Sequence, residues 1–371
     1  MRVPLFRVHA PPGMEAGLGE ILRSGRITQG AEVAQFEALL RGFLGAEHLC
    51  AMSEGSAALT VALYIAGVRP GDEVVVSPLS CLATTMPIAN LFAQPVWCDV
   101  DPETGMPDAQ RIGACISERT RAVLAYHWSG NLADLDALRR QTRSRGIKLV
   151  VDASEAFGAE YGGRRIGAPE ADFTVFSFSA VRHITTGEGA AVVVEDPDAF
   201  EQLRRLRRYG IDPESFRLAN GDLNPASDIA LAGYNFAMNN LCAAMGLAQM
   251  AHAEDIVQRH RDNGRFYDAA LAGVSGLRRL AQNSAGTSAY WTYSLRAERR
   301  GELMRKLHEH GVGAQRLHLR CDRYGCYAAA VRPDPLPGVE IIDAENLSIP
   351  CGWWVGREER EFIAECIRSG W

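Results

Sequence analysis

Lysine is almost missing from this chain of 371 residues: of 39 basic residues only Lys148 and Lys306 carry an amine, and the rest are arginine. Long apolar runs are missing too. None approaches the ~20 residues that a membrane-crossing helix needs, and the opening MRVPLFRVHAPPG has no apolar core of a secretion signal. Positive charge is not in excess. A net charge of −6 argues against a nucleic-acid surface, because phosphate backbones are bound by basic patches. The basic cluster RRLRRYG (204–210) reads as a solvated helix face. Cysteine is present but not in pairs. Cys50, Cys81, Cys98, Cys115, Cys242, Cys321, Cys326, Cys351 and Cys366 show no paired spacing, which predicts reduced thiols in a cytoplasmic protein. The close pair Cys321 and Cys326 has no second pair to complete a zinc site, so no metal is expected.

What is present is ordinary in amount, with 47% hydrophobic and 23% charged residues, and informative in order. The length exceeds one hydrophobic core, which predicts a large domain plus a smaller one. EVVVSP (73–78), QPVWCDVD (94–101), RAVLAYHW (121–128), IKLVVDAS (147–154), ADFTVFSFS (171–179) and AAVVVED (190–196) are apolar runs separated by helical patterns. Near-continuous runs of this kind predict a mostly parallel sheet buried on both faces, with ligands beyond the C-terminal strand ends. EVAQFEALLRGFL (32–44) is apolar at helical spacing, and residues 239–271 read as one long helix. After that YWTYSLRA reads as a strand, with RGELMRKLHEHGV and REEREFIAECIRSG as helices. The expected division is 1–254, an N-terminal arm and large α/β domain, and 255–371, a small C-terminal α/β domain. No internal repeat is visible.

Several short segments carry chemistry. Gly55 and Ser56 in AMSEGSAAL open a helix, where free backbone N–H groups suit an anionic phosphate; many helices begin this way. Asp152 ends the run LVVD and reads either as an N-cap or as a carboxylate set against a pyridinium nitrogen. FSFSAVRHITTGEG places Ser177, Arg182, His183 and Glu188 in a polar loop between two strands.

Taken in order, the arm SGRITQGAEVAQFEALLRGFLG, SEGSAAL, the GDEV…DVDPETG block, the DASEA strand, the SF…ITTGEG loop and the GYN helix resemble the DegT/DnrJ/EryC1/StrS family over nearly the whole chain. The resemblance implies fold type I of the pyridoxal phosphate (PLP) transferases, with a mostly parallel seven-stranded sheet. It implies PLP or pyridoxamine phosphate (PMP) as cofactor, a homodimer with shared active sites, and a nucleotide-linked keto-sugar or similar small molecule as substrate. Carried over by position, Gly55, Ser56 and Ser177 become phosphate contacts and Asp152 the pyridinium partner. Asn235 would reach the cofactor of the neighbouring subunit. His127 and Trp128 fall where the family contacts substrate, although an aromatic strand end is more often core.

Four positions depart from the family pattern. The lysine that forms the Schiff base falls on Arg182, whose delocalised guanidinium stays protonated and is neither nucleophile nor base. The aromatic that stacks on the cofactor ring falls on Cys81. The residue three after the aspartate, His or Gln in the family, is Glu155, and a motif arginine becomes Ala237. The loop also resembles that of the family's PMP-dependent sugar 3-dehydratases, which have a histidine pair in place of Arg182-His183 and hold the cofactor non-covalently. That leaves His183 as a candidate base or as a residue that packs the loop. Three readings remain open: a lysine-independent, dehydratase-like B6 enzyme; a silent homologue that pairs with an active paralogue; and a conventional sugar aminotransferase disabled by a Lys→Arg change.

Overall fold

The computed structural model describes residues 2–167, 170–331 and 335–371. Helices α1 (Met14–Ser24) and α2 (Ala31–Leu44) form the arm and lie against α8 (Asn240–Met250). The chain then alternates β1 (His48–Met52), α3 (Gly55–Ile65), β2 (Glu73–Val76), α4 (Leu82–Asn90), β3 (Gln94–Trp97), α5 (Ala109–Cys115), β4 (Thr120–Tyr126), α6 (Leu135–Arg143) and β5 (Lys148–Asp152). A short antiparallel pair, β6 (Glu160–Tyr161) and β7 (Arg164–Arg165), precedes β8 (Phe173–Ser177), β9 (Ala190–Val194) and α7 (Pro197–Leu206).

Seven strands form one sheet in the order β1-β9-β8-β5-β4-β2-β3. Only β9 runs against its neighbours, so the expected mostly parallel seven-stranded sheet is what forms. Strands such as VVV of β2 and LVV of β5 are buried on both faces, which is why they read as continuous apolar runs rather than alternating ones. Helix α3 is buried from Ala57 through Leu63, and this explains its lack of a polar face.

The segment 239–271 is not one helix. It breaks at Ala251 and His252 into α8 and α9 (Ala253–Ala270). The two halves bury against different partners: α8 packs on the arm, while α9 packs on α12 (Arg357–Arg368). A Cβ on Gly246 would lie 2.5 Å from the Phe36 ring, so only glycine lets α8 approach α2 this closely. The remaining elements are β10 (Leu277–Arg279), β11 (Gly286–Thr287), β12 (Tyr293–Ala297), α10 (Arg300–Glu309), α11 (Pro337–Glu345) and β13 (Asn346–Ile349). Strands β10, β12 and β13 make an antiparallel sheet over a second core, which Val3 from the N-terminus joins. Residues Cys321, Tyr327, Leu336, Val339 and Ile342 pack into the first core. Among the described residues no helix is long and apolar enough to cross a membrane.

Candidate active site

The parallel strands end on one edge of the sheet, and the polar residues that follow them meet there. Strand β1 feeds directly into α3, whose first-turn N–H groups, at Gly55 and Ser56, have no intrahelical partner. Gly55 faces Ser177, the last residue of β8, so closely that a Cβ would lie 3.3 Å from the Ser177 Cβ. Ser177 is buried, and its Oγ accepts a hydrogen bond from Ser179 N at 3.3 Å. Asp152 closes β5 and is buried; Oδ2 accepts from Thr84 Oγ1 at 2.6 Å and Oδ1 from Ser154 N at 3.0 Å. No helix follows Asp152, so it is not an N-cap.

Arg182 and Glu155 form the other end. Glu155 is fully buried and accepts from Ser129 N at 2.7 Å, from His318 Nε2 at 3.1 Å and from Arg182 Nη1 at 3.4 Å. Burial alone would raise the Glu155 carboxyl, but the His318 ring, the Arg182 guanidinium and the Tyr126 hydroxyl outweigh it and hold it below the usual carboxylate range. Ser129 reaches Glu155 through a tight turn. Its own φ is 57°, and Gly130, at φ 93°, passes so close that a Cβ would lie 2.7 Å from Tyr290 N. The Arg182 guanidinium lies 4.4 Å above the Trp291 ring. That ring stacks on Phe6 at 5.0 Å and donates from Nε1 to the Val181 carbonyl at 2.7 Å. Arg182 is thus held by charge from one side and by an aromatic face from another.

The loop itself is pinned. Thr185 Oγ1 and Thr186 N both bond the Phe178 carbonyl, at 3.0 and 2.8 Å, and Thr186 Oγ1 bonds the Glu188 carbonyl at 2.8 Å. The Glu188 side chain is exposed. His183 does not join the Arg182 cluster. It is buried, with Nε2 on the Ala289 carbonyl at 3.1 Å and its ring 4.5 Å from that of His260. Burial, and then the neighbouring His260, push its pKa well below the usual value, so the packing reading describes its surroundings better than the catalytic one.

His127 is likewise sealed, its pKa pushed down to about 3 by burial, and Ala133 N donates to its Nδ1 at 3.4 Å. Nothing in these surroundings opens His127 to a substrate. Trp128 is buried edge-on to the His318 ring at 5.6 Å and therefore sits behind the cluster. Cys81 caps α4 close enough to Arg182, Asp152 and Glu155 to feel their charge, and burial raises its thiol. Asn235 is exposed on the segment that bridges β1 at Met52, outside this cluster. Neither lysine is near. Lys148 begins β5 at the far end from Asp152 and pairs with Asp172 at 2.8 Å, and Lys306, on α10, bonds Ser369 Oγ through Nζ at 2.8 Å.

A B6 cofactor fits one end of this arrangement and not the other. The Gly55–Ser177 approach, which a Cβ would fill, suits a phosphate, and the buried Asp152 carboxylate suits a protonated ring nitrogen. At the remaining end a guanidinium in an ion pair stands where a covalent link would need an amine. Sequence reasoning missed Tyr126, Thr84, Trp291 and His318. Tyr126 sits beside Asp152 in the parallel register of β4 and β5, and its hydroxyl is 3.1 Å from His318 Nε2.

The sequence profile of the DegT/DnrJ/EryC1/StrS aminotransferase family matches residues 14–368. The crystal structure of sugar aminotransferase CalS13 from Micromonospora echinospora superposes with a TM-score of 0.93 at 34% identity, covering 100% of both chains. Spore coat polysaccharide biosynthesis protein SpsC of Bacillus subtilis (strain 168) is 32% identical over 279 residues, 75% of this chain and 72% of its own. UDP-4-amino-4-deoxy-L-arabinose–oxoglutarate aminotransferase of Shewanella sediminis (strain HAW-EB3) is 30% identical over 279 residues, 75% of this chain and 71% of its own. The chain belongs to the DegT/DnrJ/EryC1/StrS aminotransferase family and has fold type I of the PLP-dependent enzymes.

Proposed function

We propose, from that membership, that this chain holds PLP or PMP without a covalent bond and acts on a nucleotide-sugar or related keto substrate by dehydratase-like rather than ordinary transamination chemistry. One observation carries the reading: Gly55, Ser56, Ser177 and Asp152 stay assembled while the lysine position is filled by Arg182 in a buried ion pair with Glu155. When bound, the cofactor supplies an electron sink. Gly55 and Ser56 N–H groups and the Ser177 hydroxyl would hold its phosphate, and Asp152 would keep its ring nitrogen protonated. Arg182 contributes no nucleophile. Burial alone would lower its pKa, but Glu155 and the other nearby acidic groups outweigh burial and keep it firmly charged. Its role is to orient groups at the reactive end.

The Arg182–Glu155 pair also speaks against a conventional aminotransferase disabled by one change. A lone Lys→Arg substitution would leave the family's His or Gln at position 155, whereas here a carboxylate meets the guanidinium. In this reading the working unit is a homodimer, with the exposed Asn235 directed to the neighbouring subunit's cofactor. A second reading, a silent subunit paired with an active paralogue, draws on the sealing of His183, which removes the base that a dehydratase-like loop would use.

Absorbance titration with PMP and PLP separates the readings. Saturable binding of either, with no borohydride-trapped adduct, supports the enzyme reading; binding of neither leaves the silent subunit. Arg182→Lys alone is expected to give no trapped adduct, because Glu155 would pair with the new amine. Arg182→Lys with Glu155→His is expected to give one.

A further inference from the structure

We propose that His318 moves the proton at this site in place of a lysine, with Glu155 and Tyr126 as the residues that position it. The inference rests on the cofactor reading above.

The surrounding groups narrow the choice. His183 and His127 are sealed in the core. Arg182 cannot release its proton at neutral pH. Burial, reinforced by the charge of Glu155, raises the Tyr126 phenol well above its usual value, and burial also raises the Cys81 thiol. Glu155 is fully enclosed and engaged by Ser129, Arg182 and His318. His318 differs from His183, His127, Tyr126 and Glu155 in being partly open, with 14% of its side chain accessible.

Its ring is also fixed in orientation. Nε2 lies 3.1 Å from Glu155 Oε1 and 3.1 Å from the Tyr126 hydroxyl. Trp128 and Tyr126 meet the ring edge-on, at interplanar angles of 88° and 79°. A carboxylate that accepts Nε2–H selects the tautomer whose Nδ1 carries a free lone pair.

The backbone that carries His318 is tied down on both sides. Gln315 and Ser348 exchange backbone bonds at 3.1 and 2.9 Å, Cys321 N bonds the Pro78 carbonyl at 2.9 Å, and the Arg320 guanidinium is paired with Asp322 at 2.8 Å. Tyr126 lies beside Asp152 in the strand register, so the His318 ring stands at the same strand ends as the carboxylate assigned to the cofactor ring. The chemistry at Nδ1 is one proton gained from a substrate carbon and later returned to a departing hydroxyl, which leaves as water. The electron pair of the broken C–H bond becomes the new π bond in the substrate as the C–O bond breaks and its pair leaves with the hydroxyl, so no oxidant or reductant is required.

The test needs no substrate. Diethyl pyrocarbonate modifies accessible neutral imidazole, and peptide mass mapping reads its rate at His318 with and without PMP. The proposal predicts that saturating PMP slows this modification at least about tenfold. It also predicts, by nitrogen NMR, an Nε2–H tautomer in the wild type and a tautomer mixture in Glu155→Gln. If that variant fails to fold, Glu155→Asp, whose shorter carboxylate loses its reach, carries the same measurement with the same expected mixture. PMP binding that leaves the His318 rate unchanged, or an Nδ1–H tautomer in the wild type, overturns the assignment and leaves the cofactor reading intact. Failure of the wild type to bind PMP overturns the cofactor reading itself, and this inference with it.

Discussion

At one end of the site, Gly55, Ser56, Ser177 and Asp152 occupy a helix's first turn and the last residues of two strands; at the other, Arg182, Glu155, Trp291 and His318 come from four separate stretches. The first end is built from backbone and short side chains, whose positions follow once the strands pair. The second depends on long side chains that meet across the two cores, held by one buried carboxylate. A family can therefore keep the first end while the second changes, provided that charge stays paired. The Arg182 guanidinium is largely buried, and an unpaired buried charge is far more costly than a paired one.

Breaking the reactive end is expected to have the largest effect on stability. Glu155→Gln leaves the Arg182 guanidinium buried without its partner and should cost about 3–5 kcal/mol of unfolding free energy, read by denaturant titration. The same variant tests the pH dependence. The Glu155 carboxyl has a lower pKa folded than unfolded, so its stabilisation is present above the unfolded value of about 4.3 and lost as pH falls through the folded one. That acid slope should vanish in Glu155→Gln.

Breaking the anchoring end should instead spare the fold and weaken the cofactor. Asp152→Asn removes a charge-assisted bond of about 1.5–3 kcal/mol, so PMP affinity, measured by absorbance titration, should fall about ten- to hundredfold. Three histidines sealed in the core give an effect that is smaller per pH unit. His127 and His260 have pKa values pushed by burial to about 3 and about 4, and that of His183 lies well below the usual value. Each stays neutral when folded and protonates when unfolded. Stability should therefore be full above about pH 6.5 and decline below it, by about 1.4 kcal/mol per pH unit for each histidine. His127→Asn should make that decline shallower in denaturant midpoints taken across the range. The smallest effect is expected from Ser177→Ala, where one hydroxyl is worth about 1 kcal/mol, a PMP affinity loss of about fivefold with the fold unchanged.

The same division decided what could be read from the chain. Gly55, Ser56, Asp152 and Ser177 stand at fixed offsets from apolar runs or strand ends, and six of the sheet's seven strands followed from such runs. Strand β1 (His48–Met52) did not follow from one, and the count of seven was implied by the family resemblance. The break between α8 and α9 was not legible, because helical periodicity continues across it while the burying partner changes. Trp291 and His318 were illegible for a related reason. Trp291 lies inside the stretch that reads as a strand but just before β12 begins at Tyr293, and His318 meets Glu155 across 163 residues; no local pattern marks either contact. Arg182 was visible as a departure, but its meaning depended on Glu155, which lies on a different loop.

The central claim is that the cofactor is held without a covalent bond. Incubation with PLP, borohydride reduction and intact-mass measurement after gel filtration test it most directly. The account predicts that PLP co-elutes with the unreduced protein and that reduction leaves the protein mass unchanged. A protein that retains no PLP, or one whose mass rises by a reduced cofactor adduct on Lys148 or Lys306, would contradict it.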